Sequence, residues 1–224
     1  GGLVGSEMCI RDSTDNFIKV YDHALSKKEC DIIIETFETE LSRGDRIYKS
    51  NSNNDDWGTA VKKAYNLPLS FREMGDRLYH EIILNALHKK SNKFCDQYPY
   101  LNERTNDAWG VNSGYNIQKY EDGDGFYTVH CENGRHTPYR VLAWMIYLND
   151  AKSGTEFPYY NKTIRAKKGR LVLWPSQWTH IHKGVTPNVG VKYIATGWYG
   201  YVPPDPIFEV DVFSADVYDN VITY

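Results

Sequence analysis

The chain has 224 residues, 41% of them hydrophobic and 25% charged, which is typical of one globular domain with a sizeable core. Its formal net charge of −3 lacks the basic excess of nucleic-acid-binding proteins, so we expect no nucleic-acid partner. The longest apolar runs are too short to cross a bilayer, so we expect no membrane insertion.

Aromatic and cysteine residues narrow the class of protein further. Aromatic residues make up 14% of the chain and favour a β-rich fold, because flat side chains pack well on pleated surfaces. The four cysteines lie far apart without C-x-x-C spacing, and we recognise no signal peptide. They are therefore interpreted as reduced thiols in a cytoplasmic protein.

The N-terminal part is predicted to contain a short strand and a helix. Residues 1–13 show no periodicity and are interpreted as a non-native or disordered segment outside the fold. Residues 17–21 favour a short strand. Ser26, with Glu29 three residues later, is typical of a capping box and predicts a helix that runs to about Leu41.

One long loop and one further helix are predicted next. Residues 42–60 are polar and irregular, which indicates a loop that could close over a site as a lid. Apolar residues near helical spacing predict a second helix over residues 70–91.

From residue 110 onward, Gly and Pro separate short apolar segments, a pattern typical of strands. The predicted strands span residues 115–120, 126–132, 141–148, 155–159, 169–174, 179–183 and 192–199. Residues 141–148 are continuously apolar, so this strand is expected to be buried on both faces.

These elements predict an α+β, mainly β fold with a double-stranded β-helix (jelly-roll) core and N-terminal flanking helices. We expect residues 14–224 to form a single domain. Its predicted parts are helical support and a loop over 14–109, the jelly-roll core over 110–202 and a C-terminal tail over 203–224.

A His-x-Glu pair is the first candidate for chemistry. Side chains two apart on a strand point to the same face, so His130 and Glu132 are expected to converge. His180, 50 residues after His130, and His182 offer a second histidine, and periodicity does not choose between them. Two histidines and one carboxylate form the facial triad of non-haem Fe(II) oxygenases, which leaves positions open on the metal for other ligands.

The His-x-Glu motif is weak by itself, so its context matters. Cys131 beside His130 would suit zinc, but a second cysteine at structural-zinc spacing is missing. Lys192 follows His182 by ten residues and would reach into the barrel if the two residues flank a strand–turn–strand unit. A buried lysine requires an anion, and the distal carboxylate of 2-oxoglutarate would supply one.

Residues 115–199 resemble the Fe(II)/2-oxoglutarate oxygenases of the prolyl 4-hydroxylase type. The shared pattern consists of Tyr120, Tyr127, His130-x-Glu132, Arg140, Ser153-Gly154-Thr155-Glu156-Phe157, His182, Lys192 and Trp198. The family spacing between the second histidine and the basic residue selects His182 over His180. One departure is Glu132, where the family usually has Asp. The carboxylate is kept, but its extra methylene could shift the metal.

The resemblance implies a role for each matching residue. It implies that the iron ligands are His130, Glu132 and His182. Lys192 and Tyr147 are then expected to hold the distal carboxylate of 2-oxoglutarate, with Tyr120 lining the same co-substrate site. The expected substrate-facing residues are Arg140, Tyr127 and Trp198. The alternative is plain core packing for the tyrosines and Trp198, and a surface position at the start of a strand for Arg140.

The reaction is implied in the same way. The expected cofactors are Fe(II), 2-oxoglutarate as co-substrate and ascorbate (vitamin C) as reductant, with O2 as oxidant. The expected activity is hydroxylation of a C–H bond, foremost of a proline in a peptide or protein, with release of succinate and CO2. A hydroxylase of a small molecule or free amino acid is one alternative. A non-catalytic cupin-like metal-binding module is another, although a cupin would not need Lys192. Net charge and Lys192 argue against nucleic-acid demethylation, and no signal in the sequence indicates an oligomeric state.

Overall fold

The computed structural model describes residues 16–44, 46–54, 59–103, 108–187 and 189–202. The strands in these ranges are β1 (Lys19–Tyr21), β2 (Tyr48–Asn54), β3 (Thr59–Leu69), β4 (Trp109–Gly110), β5 (Tyr115–Tyr120), β6 (Arg140–Tyr147), β7 (Gly154–Phe157), β8 (Lys162–Arg165), β9 (Arg170–Pro175), β10 (Lys183–Val185) and β11 (Lys192–Tyr201). The α-helices are α1 (Lys27–Arg43), α2 (Arg77–Gln97) and α3 (Tyr100–Glu103). Short 3-10 turns span Met74–Asp76, Pro158–Tyr160 and Trp178–His180. The predicted segments 1–13 and 203–224 lie outside the described residues.

Helix α1 begins with the capping box that the sequence predicts. The Ser26 side chain accepts a hydrogen bond from the Glu29 backbone N–H at 3.2 Å, and the Glu29 carboxylate accepts one from the Ser26 backbone at 2.7 Å. Both bonds satisfy backbone donors that the helix itself cannot pair. The helix ends at Gly44, whose left-handed φ of 76° favours glycine. Ile33 and Phe37 anchor it in the core.

Helix α2 covers a different range from the predicted helix. It begins at Arg77, seven residues after the predicted start at 70, and ends at Gln97, six after the predicted end at 91. The late start follows from Asp76, whose buried carboxylate accepts hydrogen bonds from the Ser70 backbone at 2.8 Å and from Arg46 at 2.7 Å. These bonds hold residues 70–76 in a turn, so the helix cannot extend through them.

The predicted loop over residues 42–60 is wrong for most of its described part. Strands β2 and β3 form an antiparallel pair, with Tyr48 opposite Asn66 and Ser50 opposite Ala64. Strand β2 is a sheet edge made of polar residues, so no apolar alternation marks it in the sequence. Residues 55–58 lie outside the described residues.

The strands form two antiparallel sheets. The large sheet has the order β1-β9-β6-β11-β5-β3-β2, with β4 paired to β11, and the small sheet has the order β10-β7-β8. Trp144 and Ile146 of β6 point to the helices, whereas Ala143 and Tyr147 point to the inner cluster that also contains Phe157 of the small sheet. The strand is therefore buried on both faces, as its continuous apolar run predicts. The mainly β expectation is confirmed.

Two predicted strands near the candidate site are corrected. Residues 126–132 form no regular strand, but make isolated bridges through Phe126 to Lys62 and through His130 to His182. Residues 179–183 contain the end of a 3-10 turn at His180 before the chain enters β10. Strand β8 was not predicted, because its four residues are too short and too polar to show a pattern. Among the described helices, none has the length and apolar character that a membrane crossing requires.

We expect Ser26→Ala to lower the free energy of unfolding by about 0.5–2 kcal/mol, because the cap donors of α1 lose their partner. The matched control is Ser42→Ala, which removes a hydroxyl from the exposed last turn of the same helix. This control is expected to change the free energy by less than about 0.5 kcal/mol. Urea unfolding of the three proteins measures the difference. Equal losses in both variants would contradict a specific role for the cap.

Candidate metal centre

A backbone bridge brings two histidines together at one end of the inner cluster. His130 and His182 exchange two backbone hydrogen bonds, of 3.0 and 2.8 Å. Their rings then lie 4.4 Å apart. Together with Glu132, they offer one ligand atom each, and the three atoms all lie within 4.8 Å of one another. The convergence predicted from a strand is thus present, although the segment that carries His130 and Glu132 is irregular.

Both histidines are oriented through the ring nitrogen that faces away from Glu132. The Nδ1 atom of His130 lies 2.9 Å from the Thr128 carbonyl, and that of His182 lies 3.1 Å from the His180 carbonyl. A carbonyl accepts only from N–H, so each Nδ1 carries a proton, and Nε2 is the ring nitrogen that faces Glu132. The Nε2 atoms lie 3.5 Å (His130) and 3.1 Å (His182) from Oε1 of Glu132. Nε2 is therefore the atom that each histidine would offer to a metal.

Glu132 is fixed from several sides. Its backbone N–H donates to the Ser176 carbonyl at 2.9 Å, and its own carbonyl accepts from Arg140 at 3.1 Å. The indole N–H of Trp198 donates to Oε2 at 2.8 Å. Burial acts to raise the pKa of Glu132, but hydrogen bonds from His130 and His182 outweigh it and lower the pKa. The carboxylate therefore stays ionised, with Oε2 held by Trp198 and Oε1 facing the histidines.

Arg140 and Trp198, both predicted to face the substrate, are stacked on each other. The guanidinium carbon of Arg140 lies 3.4 Å from the centre of the Trp198 ring. Trp198 lines the cavity described below, whereas Arg140 is not among its lining residues. In the structure both residues support Glu132, and a contact of either with a substrate stays a prediction.

His180 lies outside the cluster. Its Nε2 atom is 2.8 Å from the Asn16 carbonyl, and its Nδ1 is 2.9 Å from the Thr179 hydroxyl. The 3-10 turn directs its ring to these partners, while its backbone carbonyl orients His182. The geometry therefore favours His182 over His180 as the second histidine ligand.

A cavity of about 220 Å³ opens in front of the three ligand atoms. Lys192 lines it and is only 3% exposed. Its ammonium lies 4.5 Å from the centre of the Tyr120 ring and 3.4 Å from the Val185 carbonyl. Burial lowers the pKa of Lys192 to about 8. Within the described part of the chain, no carboxylate lies within ion-pair distance of this ammonium, so the cavity presents a buried cation to whatever enters.

The three predicted tyrosines take different positions. Tyr120 lines the cavity, and its hydroxyl donates to Gln118 at 2.6 Å. The Tyr147 hydroxyl lies 2.6 Å from that of Thr155, which lines the cavity, so Tyr147 reaches the site through Thr155. The Tyr127 hydroxyl donates to the Gly123 carbonyl at 2.6 Å, and Tyr127 does not line the cavity.

Sequence reasoning missed several residues of the cavity wall. Phe126 stacks on the His130 ring, with centroids 3.8 Å apart. Asn116 and Gln118 precede Tyr120 on the inward face of β5, and the period of two along this predicted strand could have found them. Lys62 lines the same cavity from β3, a strand that the sequence did not reveal.

Comparison with known proteins places this geometry in context. Residues 115–200 match the family model described as the 2OG-Fe(II) oxygenase superfamily, where 2OG stands for 2-oxoglutarate. The matched segment contains all nine predicted site residues. No curated protein sequence matches the chain.

Solved structures of prolyl hydroxylases share the fold. A collagen prolyl hydroxylase of Paramecium bursaria Chlorella virus-1, in complex with 2-oxoglutarate, superimposes with a TM-score of 0.58 at 20% identity and covers 84% of this chain and 98% of its own. A prolyl-4-hydroxylase of Pseudomonas putida has a TM-score of 0.60 at 12% identity. The match covers 84% of this chain and 95% of that protein. A Trichoplax adhaerens prolyl hydroxylase, bound to a peptide fragment of hypoxia inducible factor, has a TM-score of 0.62 at 17% identity. The match covers 83% of this chain and 84% of that protein. These structures confirm the double-stranded β-helix fold, and the family model confirms the resemblance to 2OG-Fe(II) oxygenases over residues 115–200.

We expect His182→Ala to abolish Fe(II) binding, because it removes one of three ligand atoms. His180→Ala should keep one Fe(II) per chain, since the His180 ring bonds away from the cluster. Metal content after anaerobic loading and desalting measures both variants, with thermal unfolding as a check that each is folded. Loss of iron in His180→Ala with retention in His182→Ala would move the second histidine ligand to His180.

We expect Trp198→Phe to lower Fe(II) affinity about 10–100-fold, because it removes the indole donor that orients Glu132 but keeps an aromatic ring against Arg140. Trp178, which is 70% exposed, provides the control substitution Trp178→Phe, and its metal affinity should not change. Competitive titration against a chelating dye gives the affinities. Equal affinity in wild type and Trp198→Phe would show that the indole hydrogen bond does not position the ligand.

Proposed function

We propose that this chain, whose residues 115–200 match the 2OG-Fe(II) oxygenases, is an Fe(II)- and 2-oxoglutarate-dependent dioxygenase that hydroxylates a peptidyl proline. One observation carries the proposal. A cluster of two histidines and one carboxylate shares a cavity with a buried lysine that no described carboxylate pairs. Metal ligands alone would suit a binding module, but the lysine indicates a second, anionic ligand.

The donor set fits Fe(II). Two neutral imidazoles and one carboxylate on one side of the metal leave positions for a chelating co-substrate and for O2. Bound with 2-oxoglutarate and O2, Fe(II) would supply the oxidising power that hydroxylates a C–H bond with release of succinate and CO2. Ascorbate would serve as the reductant that keeps the iron in the Fe(II) state.

The residues of the chain hold and orient the partners. Lys192 would pair with the distal carboxylate of 2-oxoglutarate, where a hydrogen bond to a charged group contributes about 1.5–3 kcal/mol. Thr155, itself fixed by Tyr147, and Tyr120 line the same cavity and offer hydroxyl and ring contacts. Trp198 keeps Oε2 of Glu132 occupied, so Oε1 alone faces the metal position. Phe126 and Trp174 pack on the histidine rings and shield the centre from water.

The substrate assignment is supported by likeness to the three prolyl hydroxylases named above. Apolar side chains beside the site would suit a peptide. Val129, which precedes His130, is 41% exposed, and Tyr139, which precedes Arg140, is 38% exposed. A hydroxylase of a small molecule or free amino acid remains the second candidate, because the cavity carries a second lysine, Lys62.

The test is a coupled assay. Protein loaded anaerobically with Fe(II) is mixed with 2-oxoglutarate, ascorbate and proline-containing peptides in air, and succinate and peptide mass are followed. We expect succinate above a Glu132→Ala control and a mass increase of one oxygen atom on proline. Succinate stimulated by a small molecule and by no peptide would contradict the peptidyl substrate. Succinate no higher than in Glu132→Ala would contradict the dioxygenase itself.

Binding of 2-oxoglutarate should depend on pH through Lys192. Because burial lowers the pKa of Lys192 to about 8, its amino group is protonated and positively charged below that pH and neutral above it. We expect the affinity for 2-oxoglutarate to be constant below pH 8 and to fall about tenfold per pH unit above it. Calorimetry on the Mn(II)-loaded protein from pH 6.5 to 9 measures this profile.

Two Lys192 variants are the controls. Lys192→Arg should flatten the profile, since guanidinium stays charged. Lys192→Met should weaken binding at every pH by on the order of 10²–10³-fold, because a buried carboxylate loses its partner. An unchanged profile in Lys192→Arg would assign the titration to another group.

A further inference from the structure

Lys62 is a cation of the cavity that the matched family segment does not contain. Strand β3, which lies before residues 115–200, brings its side chain to the cavity wall. The Lys62 ammonium donates to the Asn66 side-chain carbonyl at 2.9 Å. Asn66 is 1% exposed, and its own amide donates to the Ser50 hydroxyl and the Ala64 carbonyl, both at 3.0 Å. The amide is therefore locked with its oxygen toward Lys62, and the ammonium is held in place.

Lys62 lies beside the metal ligands. Its backbone bridges to Phe126, whose ring stacks on His130, and its ammonium is 5.8 Å from the centre of the Phe126 ring. Burial lowers the pKa of Lys62 to about 8, and the negative charge of Glu132 acts in the opposite direction. Lys62 and Glu132 thus line the same cavity, and the charge of Glu132 favours the protonated form of Lys62.

The two cavity lysines come from different strands of the large sheet. Lys62 comes from β3 and Lys192 from β11, and β5 with Tyr120 runs between these strands. Glu132 is the one carboxylate among the described residues that line the cavity, and the metal would use it. A dicarboxylate such as 2-oxoglutarate has one distal carboxylate, which the proposed function assigns to Lys192. Lys62 is then the cavity cation that would contact the primary substrate.

We infer that Lys62 and Asn66 form a subsite that binds a carboxylate of the primary substrate. The inference rests on the proposed function and narrows its substrate class. A carboxylate held beside the metal ligands would orient the adjacent carbon for hydroxylation. Asn116 and Gln118 of β5 line the same cavity and add neutral hydrogen-bonding groups. The carboxylate could belong to a free amino or imino acid or to an acidic residue next to proline in a peptide.

Calorimetry on protein loaded with Mn(II) and 2-oxoglutarate separates these two sources. The probes are two matched pairs: N-acetylproline against N-acetylprolinamide, and N-acetyl-Pro-Glu-amide against N-acetyl-Pro-Gln-amide. We expect the carboxylate of at least one pair to bind about 10–100-fold more tightly than its amide. The pair that shows this preference identifies the source of the carboxylate.

Three variants test whether Lys62 causes the preference. Lys62→Met should remove the preference for the carboxylate probe over its amide, and Lys62→Arg should keep most of that preference. Lys28→Met, which removes an exposed charge on α1, should leave it unchanged. Thermal unfolding and Mn(II) binding show whether each variant is folded.

The outcomes distinguish this inference from the proposed function. No preference for a carboxylate in either pair, with 2-oxoglutarate still bound, would overturn the inference alone. A Lys62→Met variant that loses 2-oxoglutarate affinity and keeps the carboxylate preference would also overturn it, because Lys62 would then serve the co-substrate. Failure of the wild type to bind 2-oxoglutarate would overturn the proposed function and the inference with it.

Discussion

The backbone bridge between His130 and His182 is the contact on which the site depends. Its two hydrogen bonds join the irregular segment that follows β5 to the residues that come directly before β10 of the small sheet. Glu132 is tied down next to it through the Ser176 carbonyl at the end of β9. These bonds satisfy buried backbone groups that no ladder pairs, and they also set the distance between the three ligand atoms. The same backbone hydrogen bonds thus fold this region and fix the geometry of the metal centre.

Electrostatics in the cavity follow from burial. A carboxylate without partners would be protonated there, but two imidazoles and an indole N–H keep Glu132 ionised. Among the described residues, no carboxylate stabilises the positive charge of Lys192, and burial lowers its pKa to about 8. The interior therefore favours a divalent cation at one point and an anion at another. This separation of charge is what a metal-chelating dicarboxylate would complement.

The sequence predicted the chemistry of the site better than its local structure. His130 and Glu132 were expected to converge because residues two apart on a strand point to the same face. The segment is irregular instead, and backbone hydrogen bonds to His182 and Ser176 place the two side chains together. Trp198 was read as a substrate contact, and its hydrogen bond to Glu132 could not be inferred from spacing. Lys62 was missed because polar strand β2 was predicted as a loop, so the pairing that places Lys62 of β3 at the cavity was not anticipated. Strands β5, β6, β9 and β11 were predictable, because their buried faces show in their composition.

Crystals grown anaerobically with Fe(II) and 2-oxoglutarate would test the central claim most directly, through anomalous scattering at the iron edge and the density of the co-substrate. We expect the iron peak at the centre of His130, Glu132 and His182, with the distal carboxylate within hydrogen-bond distance of the Lys192 ammonium. An iron peak elsewhere, or a distal carboxylate bound at Lys62 with Lys192 empty, would contradict this account.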